Sequence, residues 1–138
     1  MGPTRQAESG SVGAPAITWA RDFPGTPEQA GKARRFLAAV LDDRSAAYDA
    51  ILCLSELASN ACLHSRSRRP GGCFTVRAAQ NAKDLRVEVS DDGGPWVWPA
   101  QPEEHGRGLL IVASLARAWG RSGGSERGWT VWFEMDAW

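Results

Sequence analysis

Glu56 and Asn60 stand four residues apart in a stretch almost without charge. From Ser45 to Ser65 the only charged side chains are Asp49 and Glu56, and no Lys or Arg occurs between Arg44 and Arg66. A surface helix ordinarily turns a charged face toward water. Here Ala47, Ile51, Leu54, Ala58 and Ala61 form an apolar stripe, and Glu56 and Asn60 fall nearly opposite it, among Ser55, Ser59 and Cys62. Residues four apart are neighbours on a helix. A carboxylate and a carboxamide therefore project together from a small, otherwise uncharged face, which suits the wall of a pocket better than bulk solvent. A carboxamide oxygen is a hard ligand fit for Mg²⁺, which takes few protein ligands and keeps several waters. A carboxylate one turn away can orient or deprotonate a nucleophile beside such a metal. Taken alone, the pair also reads as an ordinary helix Glu with an incidental Asn.

Two further clusters carry chemistry. Val89-Ser-Asp91-Asp92-Gly93-Gly94 closes a strand-like run. A carboxylate there can accept a hydrogen bond from a ligand amino group, while glycine lets the backbone close against a flat ring; the same residues also make a tight Asp-Gly turn. Gly106-Arg107-Gly108-Leu109-Leu110 opens a helical run. Glycines before a helix N-terminus leave backbone N–H groups facing an anion, which the helix dipole favours; the plain alternative is a flexible loop leading into a helix. The cluster is neither a Walker P-loop nor a Rossmann fingerprint, because no Lys-Ser/Thr follows it and no strand–turn–helix unit carries it.

These clusters need elements to hold them. Met1 to Pro15 reads as a flexible tail, leaving residues 16–138 as one domain. Ile17 to Ala20 is a short strand. Thr26 and Pro27 mark the start of a helix running from Glu28 to Leu41, with Ala33, Phe36, Leu37, Val40 and Leu41 at core spacing. Ser45 is placed to cap the second helix, which carries Glu56 and Asn60 and ends near His64. The period then changes. Phe74, Val76 and Ala78, then Leu85, Val87 and Val89, alternate with polar or small residues across a turn at Asn81 to Asp84, the pattern of an antiparallel hairpin with one buried face. A loop from Asp91 to Gly106 leads to a third helix from Leu109 to Trp119, with Leu109, Val112, Leu115 and Ala116 inward. Gly120 to Gly128 is turn-rich with room for a short strand, and Trp129 to Met135 is the last strand. The expected fold is α+β: a two-layer α/β sandwich whose mixed, mostly antiparallel sheet is covered on one face by about three helices.

The composition narrows the function. The chain has 138 residues, 43% of them hydrophobic, and seven Trp, which suits one packed domain. Zero formal net charge offers no electrostatic footprint for nucleic acid. The basic run Arg66-Ser-Arg68-Arg69 reads first as a solvated helix end, with phosphate neutralisation as the alternative. Cys53, Cys62 and Cys73 lack metal or disulfide spacing. No signal peptide or membrane-length apolar run is present, so a reduced, cytoplasmic protein is expected.

The order of the clusters is more telling than any one of them. Glu56-Leu-Ala-Ser-Asn60-Ala-Cys-Leu-His64, Val87-Glu-Val-Ser-Asp91, Gly106-Arg-Gly-Leu-Leu and Thr130-Val-Trp-Phe-Glu together resemble the N, G1 and G2 boxes and last strand of the gyrase/histidine-kinase ATPase superfamily, the Bergerat ATP-binding fold. Within it the chain is most similar to the small anti-sigma-factor serine/threonine kinases and to stand-alone actinobacterial ATP-binding regulators. The resemblance implies ATP and Mg²⁺ as ligands. It implies that Asn60 holds the metal against the phosphates and that Glu56 is the base for a protein hydroxyl. Asp91 would take the adenine amino group and Gly93 the close approach of the ring. Gly106, Arg107, Gly108 and Leu109 would border the phosphates, and Thr130 would help hold adenine through water. His64 matches a position often occupied by His in such kinases, and its plainer role is to pack or cap the helix end.

One departure stands out. The G1 pattern ordinarily continues to a further Gly, and here Pro95 removes a backbone N–H and fixes φ. A stiffer start to the lid is expected. Trp96 and Trp98 beside it could stack on ligand, close the lid or meet a partner. The resemblance implies a kinase that binds a sigma factor in one state, and in another binds and phosphorylates an anti-anti-sigma (STAS-type) protein. Pairing of two copies through the sheet region is common in that group. The alternative is a nucleotide- or protein-binding module without turnover. A sensor kinase's catalytic domain is disfavoured, since no helix with a phosphoacceptor His is read before the domain, and a gyrase-like ATPase would need a transducer domain.

Overall fold

Alternating burial on the three central strands and helical burial on three helices divide the chain into two layers. The structure is a computed structural model that describes residues 16–42, 44–94, 107–124 and 126–137, with only the backbone of His64, Arg107 and Gly108. The strands are β1 (Ile17–Pro24), β2 (Cys73–Gln80), β3 (Asp84–Ser90), β4 (Ala118–Gly124) and β5 (Gly128–Asp136). The helices are α1 (Gln29–Leu41), α2 (Ala47–His64) and α3 (Arg107–Leu115). The sheet order is β1-β2-β3-β5-β4, and every pairing among the described residues is antiparallel. The expected parallel component exists only at one remove. β3 and β4 both run antiparallel to β5, so they are parallel to each other with β5 inserted between them, and α3 makes the crossover. This α+β sandwich is consistent with the Bergerat fold. The expected tail, residues 1–15, lies outside the described residues.

The core forms where the two layers meet. Phe74, Val76 and Ala78 of β2, Leu85, Val87 and Val89 of β3, and Val131, Phe133 and Met135 of β5 are all buried on the helix side. The register sets Val89 against Val131, Val87 against Phe133 and Leu85 against Met135. Each fully buried Leu or Phe contributes about 1.5–3 kcal/mol. The other sheet face carries ion pairs instead. Arg86 bridges Glu88 at 2.9 Å and Glu134 at 2.7 Å, and its guanidinium lies 4.3 Å from the centre of the Trp132 ring.

α2 is the middle helix, and that fixes which side of it stays open. Ala50, Cys53, Leu54, Leu57, Ala58, Ala61 and Cys62 are buried, an arc of roughly half the helix at about 100° per residue. This is wider than the stripe read from sequence, because α1 and α3 pack on either flank while the sheet lies beneath. Cys62, which flanks the open face in sequence and is expected as a small buried or half-buried residue, is 3% exposed and donates from Sγ to the Thr26 carbonyl at 3.5 Å. Two helix starts also differ from expectation. α1 begins at Gln29 after a turn whose Thr26 carbonyl accepts from Gln29 N–H at 2.9 Å, so Pro27 precedes the helix. α2 has Ala46, not Ser45, at its N-cap, with no side-chain cap. The third helix stops at Leu115, and Trp119 belongs to β4 opposite Phe133. Strand pairing with β5 outweighs continuation of the helix there. Gly120 leaves room for the indole of Trp132, which a Cβ would approach to 2.9 Å.

Candidate functional site

The open arc of α2 carries Ser55, Ser59, Glu56 and Asn60, all half-buried, with Leu63 54% exposed. Ser55 Oγ accepts from Arg34 Nη1 of α1 at 3.1 Å, which identifies the flank nearest α1. Asn60 lies about 140° further round the helix, on the flank nearest α3. α3 runs antiparallel to α2, because Ser45, Ala46 and Asp49 at the start of α2 share a cleft with Leu115, Ala116 and Arg117 at the end of α3 and just past it. The N-terminus of α3, where Arg107 and Gly108 stand, therefore lies toward the Asn60 end. Its first N–H groups have no partner within the helix. The Leu109 side chain itself is 1% exposed and belongs to the core, so only its backbone can face a ligand.

The second half of the site is tied to the first by the residues after α2. Ser65 Oγ donates to the Ala61 carbonyl at 2.7 Å and accepts from Ser67 N–H at 3.0 Å, closing the helix into a short 3₁₀ turn at Arg66–Arg68. That turn then grips the loop beyond β3. Arg66 N–H donates to the Gly93 carbonyl at 2.7 Å, and Ser67 Oγ accepts from Asp92 N–H at 2.8 Å. Asp92 Oδ2 in turn accepts from Cys73 N–H at 3.1 Å. Ser67 is fully buried, as such a junction requires. The distance between the Asn60 helix and the Asp91 strand end is thus set by a few short hydrogen bonds. Apart from the basic run and the Asp92-Gly93 end of the second cluster, these junction residues were not singled out in the sequence. The helix-end reading of the basic run has support: Arg68 Nη1 donates to the Leu63 carbonyl in the last turn of α2 at 3.3 Å.

Asp91 is held in one orientation. Its Oδ1 accepts from Gly93 N–H at 2.7 Å and from Trp129 N–H at 3.0 Å. Its own N–H donates to the Trp129 carbonyl at 2.9 Å. Both backbone bonds land on Oδ1, and Oδ2 has no partner among the described residues. Gly93 sits at φ 80° and Gly94 at φ 126°, where a side chain would be strained. Gly128, at φ 104°, would push a Cβ to 2.3 Å from the Asp91 carbonyl oxygen. Burial pushes the Asp91 carboxyl above its ordinary value; the two N–H bonds and Arg66 oppose that rise, and Asp92 adds to it.

The sign of that shift gives a stability prediction. An acid whose folded pKa is raised binds more protons folded than unfolded, so its contribution falls as pH rises from about 3.9 through the folded value. Relative to Asp91→Asn, the wild-type protein should therefore lose unfolding free energy across that window. Urea denaturation of both proteins over a pH series measures it, and parallel curves would refute a raised Asp91.

Thr130 and Trp129 lie on opposite faces of the sheet. Thr130 Oγ1 and Ser90 Oγ are 2.8 Å apart, and both lie on the sheet face away from the helices, by alternation with Val131 and Val89. Trp129 takes the helix-side position next to Asp91. The Arg121 guanidinium lies 4.2 Å from its ring centre, and its Nε1 is buried with no acceptor among the described residues. An unpaired buried donor costs about 1–3 kcal/mol. Alternation from Val131 back along the strand puts Trp129, not Thr130, on the helix side. Pro95, Trp96, Trp98 and Gly106 lie outside the described residues, and so do the side chains of His64, Arg107 and Gly108.

The donor set suits a lightly held Mg²⁺. Among the described residues no group of three or more His, Cys, Asp or Glu side chains comes together as a metal cage. A single carboxamide on an open helix face, completed by phosphate and water oxygens, is the arrangement this ion accepts. Among the described residues no helix is long and apolar enough to cross a membrane.

Comparison with curated proteins returns no match. The family model described as histidine kinase-like ATPase domain matches residues 23–135, which takes in Glu56, Asn60, Asp91, the glycines at α3 and β5. With its helix-borne Glu and Asn locked to a strand-end Asp in a three-helix, five-strand sandwich, the chain belongs to the histidine kinase-like ATPase domain family, an ATP-binding fold.

Proposed function

We propose that the protein is an Mg·ATP-dependent regulator of the anti-sigma-factor type, which phosphorylates a Ser or Thr of an anti-anti-sigma partner and exchanges that partner for a sigma factor. The observation that carries the reading is the open arc of α2. Among the described residues neither Glu56 nor Asn60 forms a hydrogen bond or ion pair, so both remain available one helical turn apart. A structural Glu so poor in partners would have little reason to sit beside a buried-edge Asn.

In this reading Asp91 Oδ2 accepts from the adenine amino group while Gly93 admits the ring. Asn60 holds Mg²⁺, which neutralises charge on the phosphates. The backbone at Gly106, Arg107, Gly108 and Leu109 borders the phosphates at the start of α3. Glu56 takes the proton from the incoming hydroxyl as its oxygen bonds to the γ-phosphorus and the bond to the leaving ADP oxygen breaks. Positioning and charge neutralisation do most of the work in such a transfer. Thr130 acts behind the sheet through Ser90, and His64 closes the end of α2. The setting is cytoplasmic, with protein partners, no nucleic acid or membrane, and pairing of two copies as an option.

Calorimetric titration with ATP and ADP, with and without Mg²⁺, followed by incubation with an anti-anti-sigma protein and labelled ATP, tests the proposal. Tight Mg-dependent binding with phosphate on the partner is expected. Binding without transfer would establish instead a module without turnover, the reading that Pro95 in the G1 segment favours. Failure to bind any adenine nucleotide would end both.

A further inference from the structure

We propose that the outer faces of α1 and α2 form the docking surface for the protein whose hydroxyl Glu56 activates, and that this partner sets an acidic side chain, close to its acceptor Ser or Thr, between Arg34 and Arg35; the inference rests on the kinase reading above. Arg34 and Arg35 are consecutive on α1, yet both guanidinium groups turn back over Gly31. A Cβ on that residue would stand 3.4 Å from Arg34 Nη2 and 3.7 Å from Arg35 Nη1. Two like charges are thus gathered over one glycine, and among the described residues neither meets a carboxylate. Lys32, exposed on the same helix, has no carboxylate either. The arginines of the sheet face and of Arg117 differ: Arg77, Arg86 and Arg117 are each paired with Glu or Asp. Guanidinium groups gathered without counter-charge match the geometry of a carboxylate.

The pair stands beside the open arc of α2. Thr26, ahead of α1, touches Cys62 near the end of α2, and Arg34 Nη1 touches Ser55 in its middle at 3.1 Å. The two helices therefore run antiparallel, and Gly31 lies between those two levels. In the kinase reading the nucleotide phosphates border α3, on the opposite flank, so the anion held over Gly31 belongs to the incoming protein. Along the centre of the arc Tyr48 is 79% exposed, Leu52 half-buried and Leu63 54% exposed, with Glu56 between them. At about 100° per residue these four share one face of the helix. Apolar side chains on both sides of a carboxylate, rimmed by charge along α1, have the anatomy of a protein interface. The acidic group on the arginines fixes the partner's register, and the apolar strip seats the segment that carries the hydroxyl.

Phosphate transfer to the anti-anti-sigma protein, at saturating Mg·ATP and varied partner concentration, tests this with wild type, Arg35→Glu and Arg34→Glu/Arg35→Glu. The double variant should raise KM for the partner at least about tenfold, because like charges repel across an interface. Both kcat and Mg·ATP affinity should stay within about twofold of wild type. Raising salt from about 0.05 to about 0.5 M should raise the wild-type KM and leave that of the double variant nearly flat. A partner whose acidic residue beside the acceptor is changed to Lys should regain transfer with the double variant. Unchanged KM, or a KM that keeps the wild-type salt response, overturns the docking surface, even where the variant has lost affinity for anionic vesicles or for a second copy of the chain. Should the double variant not fold, Arg35→Glu decides by the same readings, since no described bond of Arg35 is lost. Wild type that binds Mg·ATP yet transfers no phosphate would sink the kinase reading itself, and the docking surface with it.

Discussion

Glu56→Gln is expected to slow phosphate transfer to the partner by about 10²–10⁴-fold, the usual contribution of a positioned general base. The substitution keeps the shape of the side chain and removes only its basicity. Glu56 lies on the open arc of α2 and has no ion pair among the described residues to lose. Stability should therefore stay within about 0.5 kcal/mol of wild type. Affinity for Mg·ATP should change less than about twofold, since the interaction is made only as the hydroxyl gives up its proton. Single-turnover transfer, with binding measured separately, distinguishes the outcomes. An unchanged transfer rate would remove Glu56 from the chemistry and leave only its position to explain.

Asn60→Ala acts on the other half of the pair. It should weaken ATP binding in Mg²⁺ by at least about 100-fold, because loss of even an outer-shell partner costs 10–100-fold in metal affinity and a direct ligand costs no less. The effect should vanish when Mg²⁺ is chelated, where wild type and variant bind alike. Asn60 is half-buried on the flank of α2 nearest α3, and no described hydrogen bond depends on it. The fold should survive, as thermal unfolding followed by circular dichroism would check. Equal Mg·ATP affinity in the two proteins would show that the metal is held elsewhere.

The two substitutions probe one helix, but the site depends on a junction. Ser65, Arg66 and Ser67 fasten the end of α2 to Gly93 and Asp92 beyond β3 through hydrogen bonds of 2.7–3.0 Å. Any ligand that spans Asn60 and Asp91 meets a spacing these bonds have already fixed. Pre-organisation of this kind lowers the ordering cost of binding. It also explains why the backbone around Asp91 is glycine-rich. Gly93, Gly94 and Gly128 take positive φ where the loop after β3 and the start of β5 close on the Asp91 carboxylate.

Much of this was legible in the chain itself. The period-3.6 stripes of α1 and α2, the alternation of β2 and β3, and the uncharged face bearing Glu56 and Asn60 are local patterns, written within a few turns or residues. The ordered spacing of Glu-x-x-x-Asn, strand-end Asp and Gly-x-Gly carried the superfamily. Sequence stopped where the decision belonged to residues far apart. Ser45 lost the N-cap to Ala46, and Trp119 left the third helix because β5 offered it a strand partner. Thr130 lies on the sheet face away from the helices and Trp129 on the helix side because β5 is seated between β3 and β4, in a register that sets Val131 and Phe133 against Val89 and Val87. The sequence alone determined which candidate groups the protein has; only tertiary packing decided which of them share a face, because that is set by cross-strand and helix-flank contacts that no local period encodes.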